Sequence, residues 1–148
     1  MDREPFKLSP DFRLALDGLE NAHCHTFITG RAGTGKSTLL QLFRNTTRKK
    51  VVVLAPTGIA ALNVQGQTIH SFFGFPPRLL NIKDVKKRRR RQLYQNLEVL
   101  IIDEISMVRA DLLDGIDRFL RLNREDDRPF GGVQTVFFGD LFQLPPVV

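Results

Sequence analysis

The chain has 148 residues, 42% of them hydrophobic, which supplies one core of ordinary domain size. Its net charge of +6 comes entirely from one tract, Lys86 to Arg91, without which the balance is zero. A single cysteine excludes an internal disulfide framework, and neither a signal-peptide pattern nor a bilayer-length apolar run occurs, so no membrane partner is expected.

In chain order, residues 1–24 read as a leader followed by a first helix, and 25–148 as one domain. HTFITG (25–30) is the first of four short runs rich in Val, Ile and Phe. The others are KVVVLAP (50–56), EVLIIDE (98–104) and VQTVFFGD (133–140). None alternates polar with apolar residues, which suits strands buried on both faces of a parallel sheet. Helical segments separate them, so the expected fold class is α/β, a parallel sheet flanked by helices.

The first run leads into GRAGTGKST, which satisfies G-x-x-x-x-G-K-[ST] with Gly30, Gly35, Lys36 and Ser37. Glycines let such a loop curl its backbone N–H groups onto phosphate oxygens, and the helix that follows adds its positive dipole end. Lys36 is expected to reach the β- and γ-phosphates and Ser37 to offer its hydroxyl to Mg²⁺. After the second run, Pro56-Thr57-Gly58 opens a short helix whose free N–H groups form a candidate anion site.

QTIHSFFGF (67–75) is rich in aromatic residues, and the basic tract at 86–91 follows. The tract could meet nucleic-acid phosphates, an acidic surface or only water. EVLIIDE ends on Asp103 and Glu104, expected respectively to hold Mg²⁺ and to orient or deprotonate the attacking water. LLDGIDRFL sets Leu112, Leu113, Ile116, Phe119 and Leu120 at helical spacing, and Gly131-Gly132 reads as a turn before the last strand. His23-Cys24-His25 lacks the further ligands that a tetrahedral zinc site needs.

Four blocks, GRAGTGKST, APTGIAALNVQGQTIHSFF, LIIDEISMV and PFGGVQTVFFGDLFQLPPV, together closely resemble the Pif family (petite integration frequency) of superfamily 1 5′-to-3′ DNA helicases. They stand in the family's order and cover most of the chain from Phe27 to Val148. The resemblance implies a RecA-like P-loop NTPase domain, with ATP and Mg²⁺ as cofactors and single-stranded and forked or structured DNA as partners. It also implies an intracellular monomer, in the cytoplasm of a bacterium or in the nucleus or mitochondrion of a eukaryote.

Carried over residue by residue, Gly33, Thr34, Gly35, Lys36, Ser37 and Thr38 fall in the ATP loop, and Ser37 and Asp103 at the metal. Lys36, Glu104 and Gln143 take the catalytic roles. In similar helicases the glutamine of G-D-x-x-Q-L-P-P lies beside the γ-phosphate, where a neutral amide can donate to phosphate and accept from water. Pro56, Thr57, Gly58, His70 and Phe72 are the implied DNA contacts. Where related helicases often carry an adenine-reading glutamine, this chain has Asp11-Phe12.

The chain stops just after its glutamine motif, so the resemblance implies the first motor domain of a longer protein. Without the arginines of a second domain, the expectation is nucleotide binding with poor hydrolysis and no unwinding. The rival reading is a nucleotide-dependent regulatory or interaction module docking through the basic tract. Glu104 argues against it, because a switch has less need of a water-activating carboxylate.

Overall fold

A computed structural model describes residues 10–21, 23–29 and 36–140. Five parallel strands form one sheet: β1 (Thr26–Thr29), β2 (Val51–Ala55), β3 (Gln67–Thr68), β4 (Val99–Ile102) and β5 (Gln134–Gly139), in the order β1-β5-β4-β2-β3. The four apolar runs are β1, β2, β4 and β5. The two-residue β3 extends the edge beside β2.

Among the described residues six α-helices flank the strands, α1 before the first and the others between them: α1 (Pro10–Asn21), α2 (Lys36–Thr46), α3 (Gly58–Asn63), α4 (Ile69–Phe73), α5 (Gln92–Asn96) and α6 (Ala110–Arg124). Right-handed crossovers decide which face each helix covers. Connections moving from β1 to β2 and from β2 to β3 run one way across the sheet; those from β3 to β4 and from β4 to β5 run the other way. The first pair therefore covers one face and the second pair the opposite face.

The core divides accordingly. On one side Leu39, Leu40 and Phe43 of α2 meet Val53, Val99, Ile101, Val136 and Phe138. On the other, Ile116, Phe119 and Leu120 of α6 and the α4 aromatics meet Leu54, Leu100 and Ile102. Neighbouring residues of β4 thus point into different cores, which is why the strand is apolar throughout. Each fully buried Leu, Ile or Phe contributes about 1.5–3 kcal/mol.

The first helix is fastened to this body. Leu19 is buried, and its carbonyl accepts from Lys49 Nζ at 3.1 Å and Gln134 Nε2 at 2.9 Å. On the opposite face of the sheet, Asn123 is fully buried and donates to the Lys86 and Phe119 carbonyls while accepting from the Arg88 N–H. Beside it Arg124 Nη1 donates to the carbonyls of Tyr94, Gln95 and Leu97, and Nε to that of Gly131. The expected turn at Gly131-Gly132 is a short 3-10 segment, Pro129–Gly132, in which both glycines adopt positive φ.

A candidate nucleotide and nucleic-acid edge

Because all five strands are parallel, their carboxyl ends share one edge. Thr29 of β1 stands level with Gly139 of β5, Phe137 with Ile102 of β4, and Ile102 with Leu54 of β2. That register brings four exits together: the chain entering the glycine-rich loop, Asp140, the Asp103-Glu104 pair and Pro56-Thr57. In open α/β sheets, ligands bind outside this edge.

β5 lies between β1 and β4. The chain therefore leaves Asp140 between the strand that feeds the phosphate loop and the strand that ends in Asp103-Glu104. Gly33, Thr34, Gly35 and Gln143 lie outside the described residues. Helix α2 begins at Lys36, and Ser37 and Thr38 in its first turn are exposed.

The acidic pair is shaped by the backbone. Asp103 N–H still donates to Leu54 O at 2.9 Å, so it holds strand geometry. Glu104 then turns into the left-handed region at φ 54, ψ 46, and its carbonyl accepts from Met107 N–H at 3.0 Å. A non-glycine residue held there costs on the order of 1 kcal/mol, a type of strain that concentrates at functional sites. The turn redirects the chain into a 3-10 segment, Ile105–Met107, lying against β5. Gly139 permits this: a Cβ there would come within 2.7 Å of Ile105 Cγ2.

Thr57 caps α3, its Oγ1 accepting from Ala60 N–H at 3.2 Å. The helix has only six residues. One of the N–H groups expected to face an anion is thus already satisfied by the chain itself, while the threonine O–H remains a donor. Gly58 is exposed, and a Cβ there would meet nothing within 4 Å. His70 is half-buried and lines an open groove with Pro56, Arg78, Met107 and Arg109. Composition gave no sign of Arg78 and Arg109, which neither the motifs nor the charge runs single out. Each is tied to a carboxylate, Arg78 to Asp84 at 2.8 Å and Arg109 to Asp111 at 3.1 Å.

Phe72, an implied DNA contact, is largely buried. Its ring is 7% exposed, edge-on to Phe73 and Tyr94 at centroid distances of 4.9 and 5.3 Å, and Tyr94 Oη donates to its carbonyl at 2.7 Å. Phe73 and Phe75 are equally buried. These rings pack in the core, and Phe72 also lines an open hollow with Gln67, Leu93 and Leu97. His25 of the His-Cys-His run lies 2.6 Å from Thr135 Oγ1 through its Nδ1.

The chain matches the family model described as PIF1-like helicase over residues 12–148. It is 42% identical to the ATP-dependent DNA helicase PIF1 of Saccharomyces cerevisiae over 97% of this chain and 18% of that protein. It is 41% identical to human PIF1 over 82% of this chain and 20% of that one. Among solved structures, Bacteroides Pif1 in complex with ADP-AlF3 and ssDNA matches with a TM-score of 0.87 at 44% identity, over 97% of this chain and 34% of that chain. A structure of two coordinating Pif1 helicases at forked dsDNA matches with a TM-score of 0.88 at 45% identity, over 97% of this chain and 36% of that one. The fold is RecA-like, and the chain spans about a fifth of the curated relatives' length.

Proposed function

Because the chain belongs to the PIF1-like helicase family, we propose that it is the nucleotide-binding motor domain of an ATP-dependent 5′-to-3′ DNA helicase. The observation that carries this reading is the convergence of β1, β5 and β4 on one edge, with the acidic strand end one strand removed from the phosphate loop. Gly33 to Thr38 wrap the phosphates, with Lys36 as the cation that follows charge onto the transferring group.

Mg²⁺ fits this donor set. Among the described residues no group of three metal-ligating side chains forms, so a divalent ion would rest on Ser37, Asp103, phosphate oxygens and water. That mixed, partly hydrated shell suits Mg²⁺. Glu104 orients the attacking water, and Gln143 of the G-D-x-x-Q-L-P-P block senses the γ-phosphate.

Single-stranded DNA crosses the same edge at Pro56, Thr57, Gly58 and His70. The threonine O–H and the half-buried imidazole supply donors for phosphate. No internal packing explains glycine at position 58, and close approach by an external backbone does. Forked DNA is the fuller substrate. The functional unit is a monomer, a reading that stands beside a relative described as two coordinating helicases at a fork.

The chain alone is expected to hydrolyse ATP slowly, so single-turnover hydrolysis of Mg-ATP by the intact helicase, saturated with oligo-dT, tests the assignment. Lys36→Ala is expected to weaken nucleotide binding at least about tenfold, and Glu104→Gln to bind ATP like the parent while hydrolysis falls about 100-fold. Parent-like hydrolysis by Glu104→Gln would sink the proposed chemistry.

A further inference from the structure

The six cations of 86–91 are not equivalent. Arg88 folds inward: its Nη2 donates to the Phe73 and Gly74 carbonyls at 2.8 and 3.2 Å, and its guanidinium lies 5.9 Å from the centroid of the Phe119 ring. Lys87 and Arg91 both pair with Glu125, at 2.7 and 3.3 Å. Buried Asn123 clamps the backbone at Lys86 and Arg88. Among the described residues, Arg89 and Arg90 are exposed and make no hydrogen bond or ion pair within the chain.

The fold thus uses a buried amide, a carboxylate and two carbonyls to hold a self-repelling run in one shape. In that shape two adjacent guanidiniums face outward. A solvated loop needs no such fastening. Beside them an open hollow of about 500 Å³ is lined by Arg89, Arg90, Arg91, Gln92 and Gln95. Gln92 and Gln95 stand three apart on α5, so their amides share a face.

We propose that Arg89 and Arg90, with Gln92 and Gln95, form a second nucleic-acid contact that grips phosphodiester backbone at the amino edge of the sheet. The position follows from topology. α5 ends just before β4 begins, and the Glu98 and Val99 N–H groups bond to Lys50 O at the start of β2. Asp103 and Thr57 stand at the opposite ends of those strands, so this surface cannot hold the same phosphates as the motor edge.

The lining decides the partner. It contains guanidiniums and neutral amides and no apolar side chain. A phosphate backbone needs only cations and N–H donors, which is what this lining offers, and an acidic peptide is the competitor that the test includes. The proposal draws on the helicase reading solely for which polyanion is at hand.

The test is binding of a labelled DNA duplex to the full chain without nucleotide, with Arg89→Gln/Arg90→Gln compared with the parent across salt. Removing two phosphate contacts lowers the slope of log affinity against log salt by about 1.8, so between ~50 and ~200 mM salt the parent loses about twelvefold more affinity than the variant. Arg89→Lys/Arg90→Lys restores most of the slope. The glutamine variant should melt like the parent, since neither side chain makes an internal bond. An unchanged slope overturns the proposal, as does a lowered melting point or a polyglutamate competitor that binds more tightly than duplex. Duplex binding with this salt slope in a parent chain that shows no nucleotide-dependent oligo-dT binding would instead strike at the helicase reading and leave this surface standing.

Discussion

At the amino end of the sheet, Arg124 donates to four backbone carbonyls from two segments, and Asn123 joins α6 to the basic tract. At the carboxyl end, Thr57 and Thr68 each bond an N–H of the helix they open, at 3.2 Å in both cases. The amino end is cross-linked by long side chains reaching between elements. The carboxyl end is shaped by where strands stop, and its threonines serve only their own helices. Substitutions should therefore cost stability at the first and ligand binding at the second.

The largest stability loss is expected from Arg124→Ala, which leaves the carbonyls of Tyr94, Gln95, Leu97 and Gly131 without their donor. Chemical denaturation should show about 3 kcal/mol lost; a loss below ~1 kcal/mol would erase the contrast between the two ends. Thr57→Ala removes one N-cap and should cost about 1 kcal/mol, while oligo-dT affinity falls by more than that stability change explains. An oligo-dT affinity equal to the parent's would make Thr57 a helix cap and nothing more.

The smallest effect is electrostatic. Asp111 accepts from Leu80 N–H at 3.1 Å, which, with Arg109 beside it, holds its carboxyl below the usual 3.8. A depressed carboxyl stabilises the fold above the unfolded value and loses that contribution as pH falls through the folded one. The gap in melting temperature between parent and Asp111→Asn should be widest near neutral pH and close below about pH 3.8. A gap that persists undiminished into acid would remove the carboxylate's charge from the account.

How much of this was legible in the sequence depends on how local each feature is. The four long strands were readable because burial on both faces makes them apolar without alternation. β3 was not, since Gln67-Thr68 is short and polar and joins the sheet only through pairing with Leu54 and Ala55. Asp103 and Glu104 could be found from the apolar run they terminate, but the left-handed turn at Glu104 follows from packing against Gly139. The packing of Phe72 and Phe73 against Tyr94 and Phe119 was not legible, because a surface aromatic and a core aromatic look alike in one dimension. The division of the basic tract into fastened and outward-facing cations depends on Asn123 and Glu125, more than thirty residues further on.

The strand order carries a consequence for how the molecule is made. Among the described residues β1 pairs only with β5, more than a hundred residues further on, so the platform under the phosphate loop lacks its neighbour until the other strands of this sheet have been synthesised. Closing so distant a contact is slow. On the ribosome, competence to hold a triphosphate should accordingly follow the emergence of β5, after β2 and β4 have already paired.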